Sequence, residues 1–268
     1  MIKVYPRFVG RLGNNMFQIA AAIGYAKQYG VEWGIRKGYV ERGFNAFQVD
    51  KFFPNLPAAS DGFQRHQEHP RNDKCELHMD HLDNCWFNYH RIPFYPEGVE
   101  LAGFFQSWKY FEGAEQEVRD ALRLPYLDSY KDYISIHVRR GDYVQYAHSF
   151  PPVTMDYINI AMSGFRSDVK YVVCSDDIQW CRENIIGNNI EYSTGQNEFG
   201  DMAIMASCQA NIISNSTLAW WAAWLNPNPG KIIVAPSCKR GNWFGHGAGV
   251  KQDVVDLLPP SWHQIEFR

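Results

Sequence analysis

The chain has no long apolar run. None approaches the ~20 residues that span a bilayer, and Met1-Ile2-Lys3-Val4-Tyr5 leads into a strand pattern rather than a signal segment. Surplus positive charge is also missing. With 26 Lys+Arg against 29 Asp+Glu and a formal net charge of −3, the basic face needed for generic nucleic-acid binding is absent. Any anion must therefore be held by a few placed cations. The six cysteines (Cys75, Cys85, Cys174, Cys181, Cys208, Cys238) contain no CxxC pair. They read as reduced thiols of a cytosolic protein, with peripheral association at the inner membrane surface as a further expectation. Cys75, His78, His81 and Cys85 fail as a zinc site, because only Met79 and Asp80 separate the two pairs, where a finger leaves about 12 residues. Alternating Cys75, Leu77 and Met79 read as a strand instead. Neither GxGxxG nor GxxxxGK[ST] occurs, so the standard dinucleotide and P-loop readings drop out.

What is present is a folded α/β chain. Hydrophobic residues make up 46% of its 268 positions and charged residues 21%, enough for one large domain or two small ones. Lys3–Val9 predicts a strand, Gly10–Asn15 a turn with Asn14 as helix cap or anion contact, Met16–Gln28 a helix and Val31–Arg36 a second strand. Val99–Phe105 predicts a strand, followed by a helix ending before Pro125; residues 125–132 read as a linker. The second half alternates more cleanly. Strands are predicted at 134–138, 170–174, 190–192, 211–213 and 231–235. Helices are predicted from Thr154 to Gly164, around Trp180, over 199–206 and over 217–225. Such alternation implies parallel sheets, in two halves around a cleft.

Three strand ends in the second half carry polar clusters: His137 to Asp142, Ser175-Asp176-Asp177, and Ser214-Asn215-Ser216-Thr217. In a parallel sheet all three emerge on one edge, where open α/β sheets bind ligands. Arginine offers a donor fork that fits two phosphate oxygens, and the last cluster opens a helix, whose free N–H groups favour an anion. Each cluster also has a plain alternative. Arg139, Arg140 and Asp142 can form a solvated turn with a local ion pair, Asp176, Ser216 and Thr217 can be ordinary caps, and His137 can be a core histidine.

Three segments together, Gly10-Arg11-Leu12-Gly13-Asn14-Asn15-Met16-Phe17-Gln18, His137-Val138-Arg139-Arg140-Gly141-Asp142 and Ile212-Ile213-Ser214-Asn215-Ser216-Thr217-Leu218-Ala219-Trp220-Trp221, resemble glycosyltransferase family 11, which contains the α-1,2-fucosyltransferases. Gly103-Phe104-Phe105-Gln106-Ser107-Trp108 also looks like a family segment, while the HxRRxD element alone is shared with other fucosyltransferases. The resemblance implies a GT-B fold, two Rossmann-like domains facing a central cleft, with residues 1–125 on the acceptor side and 126–268 binding GDP-fucose. It implies an inverting transfer of L-fucose from GDP-β-L-fucose to a sugar hydroxyl, the 2-OH of a terminal galactose, without a metal or other cofactor and without a nucleic-acid partner. Another linkage, or a non-catalytic sugar- or nucleotide-binding module, are the alternatives. By matched position, Arg139 should bind the β-phosphate, and His137, Ser175 and Asp176 should lie near the nucleotide. Asn215, Ser216 and Thr217 should cap the diphosphate, with Asn14 facing it from the N-terminal domain. Asn15 stands where the family usually has glutamine. Ala147 stands near the glutamate that α-1,6 relatives use as base, so the base is not carried over. Asp142 is a candidate for it, with bracing of the arginines as the alternative. Trp86, Phe87, Phe104 and Phe105 are the candidate acceptor contacts, core packing being their other role.

Overall fold

The computed structural model describes residues 2–37, 49–59, 64–67, 88–194, 197–239, 241–245 and 254–267, with the backbone alone for Ile2 and 64–67. These residues divide into two units. One comprises Met1–Arg123 and Val254–Pro259, the other Leu124–Asp253 and Pro260–Arg268. The boundary expected at 125/126 thus falls just after Arg123. The expectation that everything beyond it stays in the second unit is corrected, because Val254–Pro259 returns to the first. There Asp256 pairs with Lys109 Nζ at 2.5 Å and accepts the Tyr89 N–H at 3.0 Å. The predicted strand at 75–79 lies outside the described residues.

The first unit holds a four-stranded parallel sheet, and its chain order is β1 (Ile2–Arg7), α1 (Leu12–Tyr29), β2 (Glu32–Trp33), β3 (Gln64–Gln67), β4 (Val99–Ala102) and α2 (Glu115–Ala121). The spatial order is β2-β1-β4-β3. Helix α1 starts at Leu12, four residues before the expected start. Gly10, at φ +78°, makes the turn with Arg11 as N-cap. Asn14 and Asn15 enter the helix because tertiary partners occupy their amides. Gln106 Nε2 donates to Asn14 Oδ1 at 2.9 Å. Asn15 Nδ2 donates to Val9 O and Gln18 Oε1, while Gln18 Nε2 bonds Val9 O and Gly103 O. These amides tie the carboxyl ends of β1 and β4 together. The helix is buried almost all round (Leu12 to Ala26), which its small residues Ala20, Ala21, Ala22 and Gly24 permit.

The second unit contains β5 (Tyr133–Val138), α3 (Gly141–Gln145), α4 (Met155–Ser163), β6 (Lys170–Ser175), α5 (Ile178–Asn184), β7 (Ile190–Tyr192), α6 (Glu198–Ser207), β8 (Ala210–Ile212), α7 (Thr217–Leu225), β9 (Ile232–Pro236) and β10 (His263–Ile265). All six strands are parallel, in the order β10-β9-β8-β5-β6-β7. Strand β10 was not predicted, having only three largely exposed residues. Period-2 alternation puts Ile134, Ile136 and Val138 into an apolar core with Tyr157, Tyr171, Val173 and Ile212. Ser135 and His137 lie on the opposite face, where Asn211 Nδ2 reaches Ser135 Oγ at 2.8 Å. Thr154 caps α4 as expected, accepting the Tyr157 N–H. Among the described residues no helix is long and apolar enough to cross a membrane.

Candidate functional site

The order of the second sheet locates the site. From β5 the chain winds outward through β6 and β7, then crosses back to place β8 on the other side of β5 and continues through β9 and β10. The winding direction reverses between β5 and β8, which opens a crevice at their carboxyl ends. The loops leaving these two strands are residues 139–140 and 213–216, and they carry the polar clusters. Across the junction, His137 Nδ1 and Ser214 Oγ are 2.7 Å apart, both residues buried.

The arginines diverge. Arg139 Nη1 binds Asp176 Oδ2 at 2.7 Å, its Nη2 binds Asp142 Oδ1, and its guanidinium carbon is 5.2 Å from the centre of the Tyr143 ring. Arg140 turns to Asp177 (Nε to Oδ2, 3.1 Å) and lies 4.1 Å over the Trp180 ring, pinning the loop to the start of α5. Asp176 also accepts the Arg140 backbone N–H at 2.8 Å. It is not the helix cap. Asp177 has that role, accepting the Trp180 N–H, while Ser175 Oγ accepts the Asp177 N–H at 2.9 Å. Gly141 approaches closely, since a Cβ there would lie 2.3 Å from Asp176 Oδ2 and would push that carboxylate aside.

On the other side, Ser216 N–H bonds Ser214 C=O at 2.8 Å, and Ser216 takes the N-cap position of α7 without a side-chain capping bond. The first N–H groups of a nine-residue helix therefore face this edge with the positive end of its dipole. Asn215 does not offer its amide donors to a ligand. Both are committed, to Pro151 O and Trp243 O at 3.0 Å each, which fastens two loops beside the crevice, and its Oδ1 is buried without a partner. Tyr143, unnoticed in the sequence although it stands four residues after Arg139, joins the two sides. Its hydroxyl donates to Asn215 O (3.3 Å) and its ring stacks on Phe150.

Of the first unit's candidates, Asn14 lies in the first turn of α1, bonded to Gln106. Phe105 is a correction. It is wholly buried, edge-on to Tyr110 at 5.2 Å, and has no surface left for a sugar. Phe104 is half-buried. Trp86 and Phe87 lie outside the described residues, as do the rejected zinc residues Cys75, His78, His81 and Cys85. No group of three or more His, Cys, Asp or Glu arranged for a metal occurs among the described residues.

Burial, with the Arg139 charge, pushes the His137 pKa down to about 3. The histidine is therefore neutral in the folded protein, whereas the unfolded chain takes up a proton near pH 6.5. Between these values the unfolded state binds more protons, so His137 contributes stability that is present above 6.5 and is lost as pH falls towards 3, by up to about 1.4 kcal/mol per unit. Melting temperatures should drop over this window. His137→Gln, which cannot titrate, should flatten the slope between pH 6 and 4, and an unchanged slope would contradict the assignment.

Residues 68–250 match the family described as Glycosyl transferase family 11. The chain is 27% identical to the Escherichia coli alpha-1,2-colitosyltransferase over 98% of its length and 99% of that protein's. It is 28% identical to galactoside alpha-(1,2)-fucosyltransferase 1 of Bos taurus over 81% of this chain, spanning 64% of the bovine protein. Among solved structures, the fucosyltransferase NodZ from Bradyrhizobium aligns with a TM-score of 0.45 at 15% identity, over 85% of this chain and 94% of that one. With a family match extending over more than half of its residues, this chain belongs to glycosyl transferase family 11.

Proposed function

We propose that this glycosyltransferase moves L-fucose from GDP-β-L-fucose to the 2-OH of a terminal galactose, with inversion at the fucose carbon. The observation that carries the reading is that Arg139 and the N-terminus of α7 follow β5 and β8, the two strands that flank the sheet's reversal point. The bond from fucose C1 to the β-phosphate oxygen breaks with its electrons going to the phosphate. The acceptor oxygen supplies the pair for the new C1–O bond, and its proton ends on the released GDP, whose β-phosphate oxygen becomes basic as the C1–O bond breaks. The growing negative charge on the diphosphate is the main barrier, and preorganised donors act on it directly. Arg139 grips the β-phosphate, the Ser216 and Thr217 hydroxyls and the α7 amides take the remaining oxygens, and Asp176 acts through Arg139. The α-1,2 linkage is supported by the names of two relatives, a colitosyltransferase and a galactoside fucosyltransferase. The first of these aligns over nearly its full length, which favours a colitosyl donor as the second reading.

The test is incubation with GDP-fucose and a galactoside acceptor, following GDP release and assigning the product linkage by NMR, with the colitose nucleotide in parallel. A binding module would release no GDP, and a product linked elsewhere than the 2-OH would overturn the regiochemistry. Because a guanidinium and a helix terminus supply the positive charge, turnover should survive EDTA. Loss of turnover that Mg²⁺ or Mn²⁺ restores would overturn the arginine-centred mechanism.

A further inference from the structure

The loops following β5 and β6 contain two arginines, Arg139 and Arg140, and three aspartates, Asp142, Asp176 and Asp177, an excess of one negative charge where a diphosphate is to bind. His137, neutral beside them, does not offset it. Both ends of the Arg139 fork are already taken by carboxylates. Two of that guanidinium's five N–H donors are engaged, and a phosphate arriving at the Nη2 end meets the Asp142 carboxylate already bound there.

The two carboxylates are not equally free to do so. Asp176 is held at two points, by Arg139 Nη1 and by the Arg140 backbone N–H at 2.8 Å, and Gly141 leaves it no slack on that side, since a Cβ there would come within 2.3 Å of its Oδ2. Its side chain is 28% exposed. Asp142 is 45% exposed, sits in the first turn of the five-residue α3, and reaches Arg139 through one oxygen. The guanidinium has anchors besides Asp142. It is 15% exposed, anchored by Asp176 at one end and covered by the Tyr143 ring, which is in turn fixed to Asn215 O and Phe150.

We infer that Asp142 is a displaceable stand-in for a phosphate oxygen: it neutralises the Nη2 end of Arg139 and is exchanged for the diphosphate of the donor, while Asp176 remains as the permanent positioning residue. This rests on the donor-phosphate reading of the crevice proposed above. Exchange of one exposed ion pair for a charge-assisted phosphate contact keeps Arg139 oriented before the donor arrives, and it removes a like charge from the diphosphate's path.

The consequence has an unusual sign. Removing a side chain from a binding loop ordinarily weakens binding, but here Asp142→Asn and Asp142→Ala should each bind GDP about three- to tenfold more tightly than the unaltered protein, since the competing pair is worth little in water. The gain should shrink as salt is raised from 50 to 500 mM. Asp176→Asn should do the opposite, loosening GDP about tenfold or more by freeing the guanidinium. Titration calorimetry with GDP on these three variants and on Arg139→Ala, with thermal melts alongside, tests the inference. Tighter binding by both Asp142 variants supports it, as structural damage does not raise affinity. Equal or weaker GDP binding by both Asp142 variants, with Arg139→Ala having lost binding, overturns the exchange while leaving the phosphate site intact. Normal GDP binding by Arg139→Ala overturns the phosphate reading, and the exchange with it.

Discussion

Arg139→Lys should lose on the order of 10²–10³ in kcat, nearly as much as Arg139→Ala, if the proposed contact with the β-phosphate is a donor fork rather than a charge. In the proposed reaction the growing charge on the leaving diphosphate makes this contact stronger in the transition state than in the ground state. The loss should therefore fall on kcat more than on the donor KM. Lysine keeps the positive charge, but an ammonium cannot hold Asp176 at Nη1 and a phosphate oxygen at Nη2 in one plane. Arg140→Ala provides the contrast. Its guanidinium is engaged with Asp177 and Trp180, away from the Arg139 fork, so its loss should loosen the loop and lower the melting temperature without abolishing GDP binding. Turnover, GDP calorimetry and melts on the three variants separate these outcomes. A well-folded Arg139→Lys enzyme with near-normal kcat would sink the bidentate claim.

The second large effect lies far from the chemistry, at Gly24 in the middle of α1. In an isolated helix, glycine to alanine stabilises by about 0.5–1 kcal/mol. Here the sign reverses. A Cβ at Gly24 would stand 1.9 Å from Tyr110 O and 2.8 Å from the Phe111 α-carbon, both backbone atoms, so no side chain can swing aside to make room. The helix would have to move off the 108–111 segment, opening the contacts of Phe105, Tyr110 and Phe111 in the core. Overpacking of this kind costs about 1–3 kcal/mol, or roughly 2–12 °C in melting temperature for a chain of this size. Scanning calorimetry of Gly24→Ala should show that fall. A rise in melting temperature would show that the helix and the segment do not approach so closely.

Patterns carried by neighbouring residues were legible before any coordinates. Ile134, Ile136 and Val138 specify a strand because alternation buries one face. Thr217–Leu225 specifies a helix that is apolar all round and therefore buried. The convergence of residues 139–142, 175–177 and 214–217 on one edge also followed from the sequence, because parallel strands send every following loop to the same side. What each residue does on that edge was decided by tertiary structure. Asp176 and Asp177 are adjacent carboxylates with equal intrinsic claims to cap α5. Which one caps and which holds Arg139 depends on the register of β5 against β6 (Val138 beside Ser175). Asn215 reads as a ligand contact, yet its amide is committed to carbonyls 64 and 28 residues away. Phe104 and Phe105 are indistinguishable in composition, and tertiary packing, with Tyr110 edge-on to Phe105, separates the half-buried ring from the fully buried one. The return of Val254–Pro259 to the first unit rests on Asp256 meeting Lys109 and Tyr89. The division has one physical cause. Backbone preference and burial period act over two to four residues and repeat along the chain, whereas a polar side chain takes whichever partner the folded chain brings within about 3 Å.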